Sequence, residues 1–332
     1  MTVSTFHDEC TPVDGAPAES LRRTVNVLGA FHHMALTTTV PKEFVHRAAV
    51  AEVMLTDWQR TDEAHFTVAA QWPRSHSFFT PSQTGHHDPL IAAETIRQVG
   101  TLLGHAEFGV PLDHQFLLQE LVVEVQPEQL AVGGTPASLD LDITCTEIKK
   151  RGENLSGLRY EAVIRRDGVL AATGSLSYTC TTPAVYRRLR GHHVLDGPLN
   201  PIALTAPAAP QGVGRMSPVD VVLSPIGEAD RWQLRVDTRH PVLFDHPVDH
   251  IPGMLLIEAA RQAAAATLGH ESFMPLGLTS EFKHYAELDA PCFIEARRLP
   301  RTAAGVETVL VSGHQDGHEV FRSTVTAAAV TG

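Results

Sequence analysis

Leu90-Ile-Ala-Ala-Glu94-Thr-Ile-Arg97-Gln98 and Leu255-Leu-Ile-Glu258-Ala-Ala-Arg261-Gln262 are one run of sequence written twice. Glu94, Arg97 and Gln98 return as Glu258, Arg261 and Gln262, each 164 residues later in a chain of 332. Upstream, His76 and His86 return as His240 and His250 at the same offset. Downstream, both copies continue to Leu-Gly-His-x-x-Phe, at Leu103 and at Leu268, and then to a Pro-Leu pair at Pro111 and Pro275. A period of half the chain means two similar domains in tandem. A carboxylate and a guanidinium have been placed on an apolar helix twice, which chance explains poorly.

Around Glu258 almost every position is apolar except 258, 261 and 262, so this helix is hydrophobic nearly all round and is predicted to be buried. Spacings of three and four put Glu258, Arg261 and Gln262 on one face. A buried charge costs several kcal/mol unless it is paired. Two readings of the pair stand open on the residues alone. It is either a Glu–Arg pair that only fixes a domain interface, or a carboxylate base with a cation beside the substrate. Duplication does not separate them, because a structural pair would be duplicated too. On the second reading, apolar surroundings raise the glutamate pKa until it can take a proton near neutrality.

The chain divides into a polar leader over 1–29, domains over 30–183 and 216–332, and a linker over 184–215 rich in proline and glycine. A short helix is expected over 43–53 and a strand over 65–72. After the Glu94 helix come β-like segments at 116–125, 138–148, 158–166 and 169–179, with Arg166-Asp167-Gly168 as a hairpin turn. The second half repeats this plan: a strand at 232–237, the Glu258 helix, and strands near 276–285, 292–299, 307–314 and 319–330. Gln315-Asp316-Gly317 is its last turn. One long apolar helix followed by an antiparallel meander is the α+β hotdog plan, a helix wrapped by a curved sheet. A single hotdog leaves a sheet edge unpaired and dimerises. Two tandem hotdog domains would form that pair as an intramolecular pseudo-dimer, with the oligomeric state of the whole chain left open.

Composition removes several classes. A net charge of −12 argues against a general nucleic-acid binder. The basic clusters at Lys149-Lys150-Arg151, Arg187-Arg188-Leu189-Arg190 and Arg297-Arg298 read as solvated surface or as docking for an acidic partner or a phosphorylated pantetheine arm. No stretch approaches ~18 consecutive apolar residues, so no membrane span is expected. The first residues lack a secretory pattern, and Cys10, Cys145, Cys180 and Cys292 have no Cys-x-x-Cys spacing; both point to a reducing cytoplasm. His86-His87-Asp88 lacks a full counterpart beside His250, so no metal is expected. Hydrogen-bonded positioning or proton transfer suits His86 and His250 better. With no Walker loop, dinucleotide fingerprint or Gly-x-Ser-x-Gly elbow, no cofactor is expected.

Asp249-His250-Ile251-Pro252-Gly253-Met254 leads into the second helix and resembles the Pro-Gly turn of hotdog fatty-acid dehydratases, where free helix N–H groups polarise a thioester carbonyl. Their histidine lies fourteen residues before the acid, where this chain has Phe244 and Thr80, so the likeness does not extend to dehydration by a His/Glu pair. A wider resemblance runs through His32-His33, Thr39-Val40-Pro41-Lys42-Glu43-Phe44-Val45-His46-Arg47 and Glu52-Val53-Met54-Leu55-Thr56-Asp57-Trp58. It continues through His86-His87-Asp88-Pro89, Glu94-x-x-Arg97-Gln98, Asp249 to Met254 and Glu258-x-x-Arg261-Gln262. On these residues the chain resembles the A-factor biosynthesis family, tandem-hotdog enzymes of γ-butyrolactone and butenolide signalling.

That resemblance implies an acyltransferase. It would join a β-ketoacyl group from an acyl-carrier-protein thioester to dihydroxyacetone phosphate, and the ester would then close to a butenolide phosphate. The candidate catalytic residues are Glu258, Arg261, Glu94 and Arg97. Those expected to bind substrate are His86, His87, His250, Gly253, Gln98 and Gln262. Because only the second copy keeps the Pro252-Gly253 turn, Glu258 is the expected base and Arg261 its phosphate or oxyanion partner. Glu94 and Arg97 would line an altered site or hold the interface. A hotdog thioester hydrolase or dehydratase, and a non-catalytic binder of a lipid-like signal, remain as alternatives.

Overall fold

The computed structural model describes residues 37–80, 85–191, 201–269, 273–301 and 305–328; the expected leader over 1–29 lies outside them. Apart from Thr37 and Thr38, the described residues belong to one compact unit that begins at Thr39. Two long helices, α1 (Leu90–Ala106) and α3 (Gly253–Leu268), are buried along nearly their whole length. Each buried Leu or Ile contributes about 1.5–3 kcal/mol relative to exposure, which is why so apolar a helix is driven inside. Helix α1 is started by Asp88, whose Oδ1 accepts from the Leu90 N–H at 2.9 Å. Helix α3 ends at Gly269, whose φ of +66° turns the chain out of the helix.

The strands are β1 (Leu55–Arg60), β2 (His65–Trp72), β3 (Gln115–Val125), β4 (Ala137–Arg151), β5 (Asn154–Arg166) and β6 (Val169–Thr181) in the first half. In the second half they are β7 (Leu223–Pro225), β8 (Arg231–Leu234), β9 (Pro275–Phe282), β10 (Cys292–Arg298), β11 (Val306–Gln315) and β12 (His318–Ala328). Among the described residues they form one antiparallel sheet in the order β1-β2-β4-β5-β6-β3-β9-β12-β11-β10-β8-β7. The second half of that order is the first half reversed, with β1 matching β7 and β3 matching β9. The halves meet where β3 pairs with β9, from Glu120 opposite Glu281 to Glu124 opposite Gly277. The sheet edge that a lone hotdog would expose is closed within the chain. Burial alternates along β2, β4 and β11, so one face of the sheet lies on the helices and the other faces water.

Both Asp-Gly hairpin turns form, with Asp167, Gly168, Asp316 and Gly317 all at positive φ. The segment expected as a helix over 43–53 is instead two short 3₁₀ turns, Lys42–Val45 and Val50–Glu52. The chain is turned between them by His46, a non-glycine residue at φ +52°. The proline-rich stretch expected as a linker begins with a helix, α2 (Pro183–Arg190), capped by Thr182 Oγ1. Edge strands β1 and β7 were not anticipated from the sequence.

Gly174 on β6 is packed between strand β3 and helix α1. A Cβ there would overlap the Val122 carbonyl oxygen and stand 2.6 Å from Ile96 Cδ1. Gly174→Ala should therefore cost about 1–3 kcal/mol of stability by overpacking, read from urea unfolding. An unchanged midpoint would show that β6 can move away from α1.

Candidate functional site

Glu258, fully buried on α3, is the centre of a closed charge cluster. Arg215 donates to it from Nε (2.7 Å) and Nη2 (2.6 Å), Arg261 from Nε (2.9 Å) and Nη2 (2.8 Å), and Gln262 from Nε2 (2.5 Å). Gln262 also bridges backbone: it donates to Asp220 O and accepts from Val222 N–H. Glu94 on α1 is held the same way by Arg47, Arg97 and Gln98, and Gln98 bridges Glu52 O and Met54 N–H. Burial alone would push both carboxyls upward, but two guanidiniums beside each outweigh it and hold both down to about 2. The raised pKa expected of these glutamates is thus corrected. Each is an ionised acceptor whose oxygens are already engaged.

The two clusters differ at one point. In the second, Asp88 Oδ2 stands 3.2 Å from Arg215 Nη1 and 3.9 Å from Arg261 Nε, so the start of helix α1 places a carboxylate on the arginines of the other half. Arg215 Nη1 also donates to Phe78 O at 3.0 Å, and its guanidinium lies 4.0 Å from the Phe78 ring centroid. The side chains of Arg215 and Arg261 are 3% and 2% exposed. In the first cluster the residue matching Asp88 is Pro252, which has no charge to offer. Arg47 and Arg97, 8% and 17% exposed, border a cavity of about 620 Å³ instead.

That cavity lies between the halves. The first contributes His46, Arg47, Arg97, Phe116, Leu118 and Tyr178. The second contributes the start of α3 at Pro252, Gly253 and Met254, with Asp245, His246, His250, Phe282, Lys283 and Tyr285. A side chain at Gly253 would meet the Phe282 ring at 3.1 Å and Leu118 at 3.3 Å, so glycine lets the helix start sit against both halves. The first N–H groups of a helix have no intrahelical acceptor and can serve a ligand oxygen. His250 Nδ1 bonds Asp249 Oδ1 at 2.7 Å. Asp249 is fixed in turn by the Tyr186 hydroxyl at 2.7 Å and by Arg190, which donates to its backbone oxygen and bidentately to Glu287. Burial would raise the Asp249 pKa, but His250, Tyr186 and Arg190 bring it down to about 2. On the opposite wall His46 Nε2 bonds His105 Nε2 at 2.8 Å, and His105 Nδ1 donates to Val110 O. Burial, then the charges of Arg97 and His105, hold His46 down to about 3, so it is neutral at pH 7.

Of the residues singled out from sequence, Arg97, His250 and Gly253 line the cavity, whereas Glu94, Gln98, Glu258, Arg261 and Gln262 do not. Gly253 and Glu258 share a helix, yet the arginines that line the cavity with Gly253 belong to Glu94's cluster. His86 forms an isolated bridge with Ala131, and His87 is buried on Thr80 Oγ1 (3.0 Å) and beside Trp72. Among the described residues, no group of three or more His, Cys, Asp or Glu is arranged to hold a metal ion. Arg47 and Arg215 escaped sequence reasoning because they are 168 residues apart, not 164. The edge hairpin of the second half is four residues shorter, so nothing before it keeps the constant offset. His76 and His240 mark the join: each accepts two backbone N–H groups at Nδ1, and each Nε2 lies 3.2 Å from a carboxylate, Glu52 or Asp220.

Two hotdog domains sharing one sheet, with a cavity of mixed polar and apolar lining at the start of the second helix, define a tandem-hotdog enzyme. The A-factor biosynthesis hotdog domain matches residues 31–182 and again 200–331, and the chain belongs to that family. It is 55% identical over 286 residues to the 2-oxo-3-(phosphooxy)propyl 3-oxoalkanoate synthase of Streptomyces virginiae, covering 86% of this chain and 96% of that one. The enzyme of the same name from Streptomyces coelicolor is 42% identical, over 88% and 93% of the two chains. Among solved structures, a putative oleoyl thioesterase from Lactobacillus plantarum superposes with a TM-score of 0.52 at 10% identity, over 81% of this chain and 98% of that one, a likeness of fold. No described helix is long and apolar enough to cross a membrane.

Glu258→Gln should cost roughly 3–5 kcal/mol, because it leaves two buried guanidiniums with Asp88 as their remaining carboxylate. Glu94→Gln should cost less, since water in the cavity can reach Arg47 and Arg97. Guanidinium unfolding compares the two, and equal losses would deny the difference in exposure. Acid should weaken the fold in two stages. Below about 6.5 the unfolded chain binds protons that folded His46 and His87, held down to about 3 and about 4, do not. Below 4.5 the unfolded chain also protonates glutamates that folding keeps ionised until about 2. Denaturation midpoints at pH 7.5, 5.5 and 4 should fall in that order.

Proposed function

We propose that the protein transfers a 3-oxoacyl group from an acyl-carrier-protein thioester to a hydroxyl of dihydroxyacetone phosphate, and that the transfer takes place in the cavity at the start of α3. The ester so formed is the product for which the Streptomyces relatives are named. The observation that carries this reading is the convergence, in about 620 Å³, of a helix start, an aspartate-held histidine and two arginines. The thioester carbonyl lies at the N–H group of Gly253, which also holds the oxyanion of the tetrahedral intermediate. Asp249 keeps the proton of His250 on Nδ1, so Nε2 is free to accept. His250 takes the proton from the acceptor hydroxyl as its oxygen attacks the carbonyl. The intermediate collapses, the C–S bond breaks, and the same proton passes to the departing thiolate. Glu94 and Glu258 take no proton; they hold the arginines in place. The apolar walls at Phe116, Leu118 and Phe282 receive the acyl chain.

Incubating the protein with a 3-oxoacyl thioester, with and without dihydroxyacetone phosphate, tests this by product mass. The phosphate ester should form only when both are present. His250→Gln should lower kcat by about 10²- to 10⁴-fold at an unchanged unfolding midpoint. Free 3-oxo acid released at the same rate without acceptor would mean a hydrolase, and unreacted thioester held tightly would mean a binding protein.

A further inference from the structure

The duplication supplies an internal comparison for the open cavity. Where α1 begins, Ile91 N–H donates to Asp88 O; where α3 begins, Leu255 N–H donates to Pro252 O. Asp88 and Pro252 therefore hold equivalent backbone positions, 164 residues apart. The arginines correspond as well. Arg97 Nη2 donates to Val45 O, and Arg261 Nη2 donates to Val213 O. In the closed cluster the Asp88 carboxylate bridges a helix N–H, that of Leu90, and the guanidiniums of Arg215 and Arg261. It is an anion bound inside the protein, and it shows what that arrangement of donors holds.

We infer that the open cavity carries the same anion subsite, formed by Arg47, Arg97 and the Met254 N–H, and that the phosphate of the acceptor substrate fills the place the Asp88 carboxylate takes in the other half. Nη1 of Arg215 is the atom that meets Asp88 and Phe78 O. Among the described residues, Nη1 of neither Arg47 nor Arg97 has a partner, and both guanidiniums border the cavity. Asp245 stands on the same wall, where its oxygens accept from the Ala48 and Ala49 N–H groups at 2.5 and 3.1 Å and bond His246, and its charge acts on Arg97. Lys283 and His284 also line the cavity, with the Lys283 ammonium paired to Glu319. A guanidinium presents a planar fork suited to phosphate oxygens, and a helix start favours a dianion. The identity of the anion rests on the acyl transfer proposed above; the subsite rests on geometry alone.

The test transplants the internal anion. Pro252→Asp puts a carboxylate at the position of Asp88, at a helix start where aspartate is a favoured cap, so the fold is kept. Calorimetric titration with dihydroxyacetone phosphate, and with dihydroxyacetone as the phosphate-free control, reads binding without turnover. The wild-type protein should bind the phosphate ester and not the control. Pro252→Asp and Arg47→Met should each weaken that binding by about ten- to a hundredfold, the loss expected for one charge-assisted contact. The KM for thioester should change much less. Undiminished affinity in a folded Pro252→Asp protein would overturn the subsite while leaving acyl transfer standing. Weakened phosphate binding in a protein that makes no ester from any thioester would support the subsite and overturn the proposed reaction.

Discussion

A carboxylate clamped by two guanidiniums and a carboxamide inside an apolar helix holds each half of this protein in register. Glu94 and Glu258 would be costly where they lie if either stood alone. Their partners come from far along the chain: Arg47 follows the first 3₁₀ turn, and Arg215 follows the proline-rich stretch. Gln98 and Gln262 extend each clamp to the backbone at the start of the edge hairpin. One buried charge thus positions a helix, a strap and a strand at once. Apolar residues of similar volume would serve stability as well or better. The clamp's other effect is to hold two arginine forks rigid, and in the first half those forks face a cavity.

The symmetry of the fold makes its breaking informative. Both halves have the helix, the clamp and the histidine that ties down the preceding turn. They part at the residue before each helix. Asp88 folds its carboxylate onto the partner half's arginines and closes that place, whereas Pro252 leaves the matching place open and brings Gly253 with it. A chain that encodes each half separately can make such a change once. A homodimer would be bound to make it twice.

Electrostatics within the cavity follow local arrangement and not the net charge of −12. Arg47, Arg97 and Lys283 line its walls, burial and then the charge of Arg97 keep His46 neutral, and the ionised Asp249 is hydrogen-bonded to His250. Low-dielectric walls strengthen each of these fields relative to water. The cavity thus sets imidazoles beside fixed positive charge.

The sequence by itself determined the duplication, the hotdog plan, the two buried helices, both Asp-Gly hairpins and the shared face of Glu, Arg and Gln. All of these depend on short-range periodicity or on a repeat at constant offset. It also brought His250, Gly253 and Arg97 into the candidate set. Only the tertiary structure decided how they combine, because the cavity is built across the halves. Gly253 keeps company with Arg97 and Arg47 and not with Glu258, five residues from it on its own helix. The glutamate pKa values went against expectation for the same reason. Apolar neighbours in sequence raise a carboxyl, but the guanidiniums that lower it arrive through folding, two of them from segments whose spacing the four-residue hairpin difference had put out of step.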